Sequence, residues 1–235
     1  MRIVSWNVLH PDHTDVYPSV NPEYLKWEYR LSLIHRILSG YNADIICLQE
    51  LDSSILIDMP GYTLIYQNDK QRTKRLTKWK LNPETKKPNT LVCGILVKNG
   101  FAKIEQVKIG SRSITATLNI NGRQIVLTNV HLESGSGVNE IHIKHLSKLL
   151  DSDIICGDFN DWIGEPALNY LEQNKFKNGY DLKCPKYTFV HEHKQMLIDH
   201  FYSKLKITNI EWIDISGVSQ EHPSDHTPII ADFMY

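Results

Sequence analysis

Several absences narrow this chain before any motif is read. Its 235 residues contain four cysteines, Cys47, Cys93, Cys156 and Cys184, and no CxxC pair, which leaves out a thiolate zinc cluster. Cys47, Cys93 and Cys156 sit inside apolar runs, where thiols behave as small buried hydrophobes, and no Asn-x-Ser/Thr sequon occurs. A reducing, intracellular and cytoplasmic setting is therefore expected. No apolar run approaches the ~20 residues of a membrane span, so no membrane association is expected. Met1–Asn7 reads directly as a strand, with no signal peptide to remove. Neither a GxxxxGK[ST] loop nor a GxSxG elbow is present, which argues against a P-loop NTPase and an α/β-hydrolase nucleophile. Neither sign of charge dominates: 26 basic residues face 27 acidic ones.

The remainder has the balance of a globular protein, with 41% hydrophobic and 23% charged residues. That excludes disorder, collagen and a coiled coil. Without a linker, repeat or low-complexity stretch, residues 1–235 are expected to form a single domain and to act as a monomer. Short β-branched runs predict strands near 2–8, 44–49, 62–67, 91–98, 113–120, 124–131, 153–157, 197–202 and 228–233. Asn121-Gly122 and Asn99-Gly100 each separate two such runs and predict two β-hairpins, because Asn-Gly suits the positive φ of a type I′ turn. Asn21 followed by Pro22 caps a predicted helix that carries Trp27, Leu31, Ile34 and Leu38 on one stripe and stops at Gly40. Further helices are predicted over 139–150 and after Pro166. These elements suit an α/β domain of two mostly antiparallel sheets packed face to face under helices; periodicity alone leaves a simpler α+β arrangement open.

Polar residues recur where apolar strands end. Asn7, Glu50, His131, Asp158 with Asn160, Asp199 with His200, and Ser224-Asp225-His226 all adjoin such runs. Any one of them reads as a turn former or a satisfied structural residue; together they read as a site, since strand ends and adjoining loops collect chemistry. Hard carboxylate and amide oxygens without thiolates suit Mg²⁺, with Mn²⁺ as the alternative. Histidines, carboxylates and such a cation describe hydrolysis of a phosphoester by water.

The motifs Trp6-Asn7, Leu48-Gln49-Glu50, Asn129-Val130-His131-Leu132, Gly157-Asp158-Phe159-Asn160, Ile198-Asp199-His200 and Ser224-Asp225-His226 resemble, in order, those of the endonuclease/exonuclease/phosphatase superfamily, which includes DNase I and exonuclease III. The resemblance implies a four-layer α/β/β/α sandwich and a Mg²⁺-dependent phosphodiester hydrolase acting on nucleic acid, RNA favoured. It implies Glu50, Asn7 and Asp225 at the metal, Asp158 on the attacking water, Asn160 fixing that water or a phosphate oxygen, His131 and His226 donating to the phosphate, and Asp199 orienting His226. Asn7-Val8-Leu9, Tyr17, Leu25–Arg30 and Asp44–Glu50 are similar to the branch of carbon-catabolite-repressor deadenylases, nocturnin and Angel proteins, which points to RNA 3′ ends. His131–Gly135 looks more like the 5′-tyrosyl-DNA phosphodiesterase branch. A nucleic-acid-binding pseudoenzyme is the rival class; a competent residue at every catalytic position speaks against it.

Other histidines are weighed in the same way. His10, with Asp12 and His13, follows Asn7 beside the expected site and is expected to touch substrate. His142 and His145 are expected on a helix surface, and His191-Glu192-His193 in an exposed loop or strand end.

Between Lys70 and Lys87 eight basic residues face one acid, Glu84, whereas the whole chain carries a net charge of −1. Lys74, Arg75, Lys78 and Lys80 are expected to meet a phosphate backbone, and Trp79 to stack on a base. Neutralising those four cations should raise KM for long substrates and flatten its salt dependence, because fewer counterions are released. Initial rates between about 50 and 200 mM salt check this, with a short nitrophenyl diester as the internal control.

Overall fold

The structure is a computed structural model and describes residues 1–52, 57–67, 91–213 and 217–235. Lys74, Arg75, Lys78, Trp79 and Lys80 of the basic segment lie outside the described residues. The elements run β1 (Arg2–Asn7), a 3-10 turn (Pro11–Val16), α1 (Pro22–Leu25), α2 (Trp27–Gly40), β2 (Ile45–Asp52), β3 (Tyr62–Tyr66), β4 (Leu91–Lys98), β5 (Lys103–Ile109), β6 (Ser113–Ile120) and β7 (Arg123–His131). There follow α3 (Asn139–Leu146), β8 (Ile154–Asp158), α4 (Pro166–Gln173), β9 (Lys177–Asn178), β10 (Phe189–His191), β11 (Lys194–Met196), β12 (Asp199–Ser203), β13 (Lys206–Trp212) and β14 (Ile229–Met234). Among the described residues no helix is long and apolar enough to cross a membrane.

Two six-stranded sheets result. Sheet I has the order β13-β14-β1-β2-β4-β3, and sheet II the order β5-β6-β7-β8-β12-β9. Each holds one parallel pair at its centre, β1 with β2 and β7 with β8. The other pairs are antiparallel. The period-2 alternation of side chains sorts the layers. Ile3, Ile45, Cys47 and Ile95 share one buried cluster with Ile114, Leu118, Leu127, Ile154 and Phe201 of the facing sheet. Val4, Trp6, Ile46 and Leu48 point the other way, onto Ile34 and Leu38 of α2. Val130, Ile155 and Tyr202 meet Leu146 of α3 and Leu168 and Leu171 of α4. The central strands are apolar throughout because both of their faces are covered. The expected four-layer α/β/β/α sandwich is what forms.

Three local expectations fail, each for a tertiary reason. Asn99-Gly100 does not close a hairpin: β4 already has β2 and β3 on its two edges, so the chain leaves for sheet II and β5 pairs with β6. Asn121-Gly122 does close one, with Ile120 opposite Arg123. The helix from Pro22 is broken at Lys26, which is extended at φ −60°, ψ 135°. Leu25 packs toward Leu9, Tyr17 and Val218, whereas Trp27 and Leu31 pack on sheet I, and one straight stripe does not serve both targets. The third helix ends at Leu146 rather than 150, its last turn tightened by the bonds Lys148 N to His145 O and Leu149 N to Leu146 O.

Gly157 shows how tightly the central pair of sheet II is built. Its φ is +139°, and a Cβ there would lie inside the van der Waals shell of the Val130 carbonyl in the neighbouring parallel strand. Gly157→Ala should cost at least about 3 kcal/mol, since backbone on both sides is fixed by pairing. The denaturant midpoint measured by circular dichroism checks this.

Candidate active site

Parallel pairing places strand ends of one kind at one edge. Asn7 closes β1, Glu50 lies near the end of β2, His131 closes β7 and Asp158 closes β8. Antiparallel neighbours return to the same edge: Asp199, the first residue of β12, sits opposite Asp158, and Asp225 and His226 precede β14. Two backbone devices aim the side chains. Glu50 has φ +59° at a register shift between Leu48 and Leu51, and Asn160 has φ +49° just after Asp158. Left-handed geometry at non-glycine residues costs of order 1–3 kcal/mol each, which surrounding structure must offset.

Asn7 joins the two sheets here. Its Nδ2 donates to Glu50 Oε1 at 3.2 Å and to Asp158 Oδ2 at 3.0 Å, while its Oδ1 accepts the Leu9 N–H at 3.0 Å. Asn7 therefore meets the site as a donor to two carboxylates, one from each sheet. Asp158 Oδ1 accepts the Asn160 N–H at 2.9 Å, and Asn160 Nδ2 donates to the Leu132 carbonyl. His131 Nε2 lies 3.8 Å from Glu50 Oε1 and 3.7 Å from Asp158 Oδ2, bracketed by the two acids. His226 Nδ1 bonds Asp199 Oδ2 at 2.8 Å, and its Nε2 faces Asp158 Oδ2 at 3.7 Å. Trp6 Nε1 holds the His226 carbonyl at 2.8 Å, and Ser224 Oγ bonds the Asn7 carbonyl at 2.6 Å.

These contacts set the charges. Burial opposes the charged ring of His226, but Asp199, with help from Asp158 and Asp225, carries it up to about 10. Burial lifts the Asp158 carboxyl to about 7 against the pull of His226, and the charge of Asp199 adds to the rise. Burial also raises Asp225, whose Oδ2 accepts the Tyr17 hydroxyl. Burial works against Glu50 as well, yet the His13 hydrogen bond, the rings of His131 and His13, and the His10 amide hold it well below the usual range.

Asp158, Asp199 and His226 bring ligand-type atoms within 4.8 Å of one another, the one such group among the described residues. Within it only His226 Nδ1 and Asp199 Oδ2 are hydrogen-bonded, at 2.8 Å, while Glu50 stands ionised beside the group. Elevated carboxyls on both sides of Glu50 mark a cluster short of positive charge, and an oxygen-rich donor set of this kind fits a hard or borderline divalent cation.

Two expected residues are placed differently. His10 is fully buried, with Nδ1 accepting the Asp12 N–H and Nε2 lying 3.8 Å from Asp52 Oδ2, so it has no surface for substrate. His13, three residues on, holds Glu50 Oε2 at 2.8 Å instead. His142 is also fully buried, between the Glu133 carbonyl and Asp161 Oδ2, because α3 turns it inward under the loop that follows Asp158. His200 Nε2 grips the Asp161 carbonyl from the other side at 2.9 Å. His145, Glu192 and His193 are partly or fully exposed, and His191 lies at the end of β10. The Phe189 ring stands 4.9 Å from the His226 ring.

Arg30 enters the sequence reading only as the last residue of the Leu25–Arg30 motif, with no role of its own. It is fully buried and donates to the carbonyls of Pro223, Val8 and Leu9. One guanidinium thereby holds both the loop after Asn7 and the loop before Asp225; burial lowers it to about 10, with Asp225 and Glu50 opposing the fall. Arg30→Ala should cost at least about 3 kcal/mol, since three buried carbonyls lose their donor. Urea unfolding checks this, and residual turnover should fall with it.

The model described as "Endonuclease/Exonuclease/phosphatase family" matches residues 4–226. The curated protein 2',5'-phosphodiesterase 12 of Mus musculus is 24% identical over 314 aligned positions, covering 100% of this chain and 52% of its own. The chain thus spans about half the length of that relative. The solved human nocturnin catalytic domain with bound sulfate superposes with a TM-score of 0.74 at 22% identity, covering 100% of this chain and 93% of that one. ANGEL2, described as a 2',3'-cyclic phosphatase in complex with adenosine-2',3'-vanadate, gives a TM-score of 0.77 at 17% identity, covering 99% and 94%. At such identities the solved structures establish the fold.

Proposed function

The chain belongs to the endonuclease/exonuclease/phosphatase family, and on that footing we propose that it is a divalent-cation-dependent phosphodiester hydrolase acting on nucleic acid, at RNA 3′ ends. The observation that carries this reading is Asp158, bracketed by His131 and His226 and joined through Asn7 to Glu50. The RNA preference draws on the relatives, whose descriptions name a 2',5'-phosphodiesterase and a 2',3'-cyclic phosphatase. The basic segment from Lys70 to Lys87 favours a polymer over a small phosphoester. Residues 1–235 are read as one catalytic domain, since both sheets share one buried cluster, and as a monomer. Four free cysteines support an intracellular, cytoplasmic setting.

The chemistry follows from the protonation states. Asp158, whose carboxyl burial lifts to about 7, accepts in its ionised form the proton of the attacking water while Asn7 and the Asn160 amide hold its two oxygens in place. His226, kept cationic by Asp199, donates to a nonbridging phosphate oxygen. His131 enters from the opposite strand end and donates to the same group. Glu50 would hold Mg²⁺ or Mn²⁺, with Asp225 acting on it electrostatically, and the cation would supply charge neutralisation at the phosphate.

Asp158→Ala and His226→Ala should each lower kcat by about 10²-fold or more with the fold retained, because each removes a group used in the transition state. Asp199→Asn should lower kcat with little change in KM, since it alters the orientation and charge of His226 and removes a charge that raises Asp158. The assay is a panel of labelled ends: RNA with 3′-OH, RNA with 2′,3′-cyclic phosphate, poly(A), DNA and 5′-phosphotyrosyl DNA, each with Mg²⁺, Mn²⁺ and EDTA. Activity indifferent to EDTA, or an Asp158→Ala variant keeping more than about a tenth of the wild-type rate, would overturn the assignment.

A further inference from the structure

The 3-10 turn after β1 brings an imidazole to Glu50 that the catalytic scheme does not use. His13 Nδ1 lies 2.8 Å from Glu50 Oε2, and the same oxygen accepts the His10 N–H at 2.8 Å. The turn is built to hold that ring. Buried His10 caps it by accepting the Asp12 N–H at 3.1 Å, its carbonyl takes the His13 N–H at 2.9 Å, and Thr14 Oγ1 bonds the Pro11 carbonyl at 2.9 Å. Both Glu50 and Asp225 act electrostatically on His13, whose side chain is 39% exposed against 12% for Glu50. The ring therefore stands at the cleft mouth with a nitrogen directed at the carboxylate.

We propose that His13 is a further ligand of the cation seated on Glu50, and that its imidazole tilts the site toward Mn²⁺ over Mg²⁺. The inference rests on the reading of Glu50 as the metal seat. Two ligands at right angles, each ~2.1 Å from one cation, stand ~3.0 Å apart. Nδ1 and Oε2 are already within a few tenths of an ångström of that separation. The cation takes the place of the proton shared between Nδ1 and Oε2, and that proton leaves to solvent. A set of oxygens alone suits Mg²⁺, which prefers carboxylates and water; one neutral nitrogen shifts preference along the divalent series toward Mn²⁺. The alternative use of the same ring, as a donor to a substrate phosphate, needs no metal–nitrogen bond.

The test titrates the 235-residue chain with Mn²⁺ and with Mg²⁺ by calorimetry, and examines the Mn²⁺ form by pulsed electron paramagnetic resonance, without substrate. Wild type should show a nitrogen hyperfine coupling that is lost in His13→Ala and in His13→Gln and kept in His131→Ala. His13→Ala should weaken Mn²⁺ binding about tenfold or more and Mg²⁺ binding by less than about threefold. Glu50→Gln should weaken both. A wild-type spectrum without nitrogen coupling, or a coupling and Mn²⁺ affinity unchanged in His13→Ala, overturns the role of His13 and leaves Glu50 as the seat. Metal binding unchanged in Glu50→Gln overturns the seat itself, and the inference falls with it.

Discussion

The Asn7 amide donates to Glu50 of sheet I and to Asp158 of sheet II, and the rest of the cleft is arranged about that bridge. A second bridge lies just beneath. Gln49 Nε2 donates to Asn129 Oδ1 at 2.7 Å, and Asn129 Nδ2 returns to the carbonyls of Leu48 and Gly94. Two apolar sheet faces have no directional reason to hold a fixed register against each other, since burial is proportional to area and indifferent to angle. Buried amides do have one, because each unsatisfied group costs about 1–3 kcal/mol. The polar seam thus sets how the sheets align, and that alignment places the acids of one sheet beside the histidines of the other.

Charge at this seam is held close to an imbalance. Glu50, Asp158, Asp199 and Asp225 converge on a region served by His13, His131 and His226. Burial alone would neutralise several of these groups. Instead the groups separate: Asp199 keeps His226 cationic, while burial, with the charge of Asp199 added, lifts the Asp158 carboxyl to about 7. The division sets a carboxyl of raised basicity beside a cationic imidazole, with the Glu50 carboxylate held ionised close by. Arg30 belongs to the same economy, as a buried positive charge that spends its donors on loop carbonyls rather than on the acids themselves.

The loops on this edge are anchored from below by residues that never reach the cleft. His142 and His200 fix Asp161 and hence the turn through Asn160, and His10 fixes the turn that carries His13. Tyr17, one residue past that turn, holds Asp225. Side chains that act on a phosphate need positions held to a fraction of an ångström, and loop backbone alone does not supply that.

Strand ends and the polar residues that close them were legible in the sequence, because apolar β-branched runs and those residues are neighbours along the chain. The order Asn7, Glu50, His131, Asp158, Asp199, His226 could be read without coordinates, as could the Asn121-Gly122 hairpin. Tertiary structure alone decided which of His10 and His13 faces Glu50, that His142 is buried, that Arg30 reaches the carbonyls of Val8 and Leu9, that the helix breaks at Lys26, and that Asn99-Gly100 joins two sheets. The division follows from range. Alternation and turn chemistry act over a few residues, whereas burial and pairing depend on which strand edge is already taken and on what packs from elsewhere in the chain.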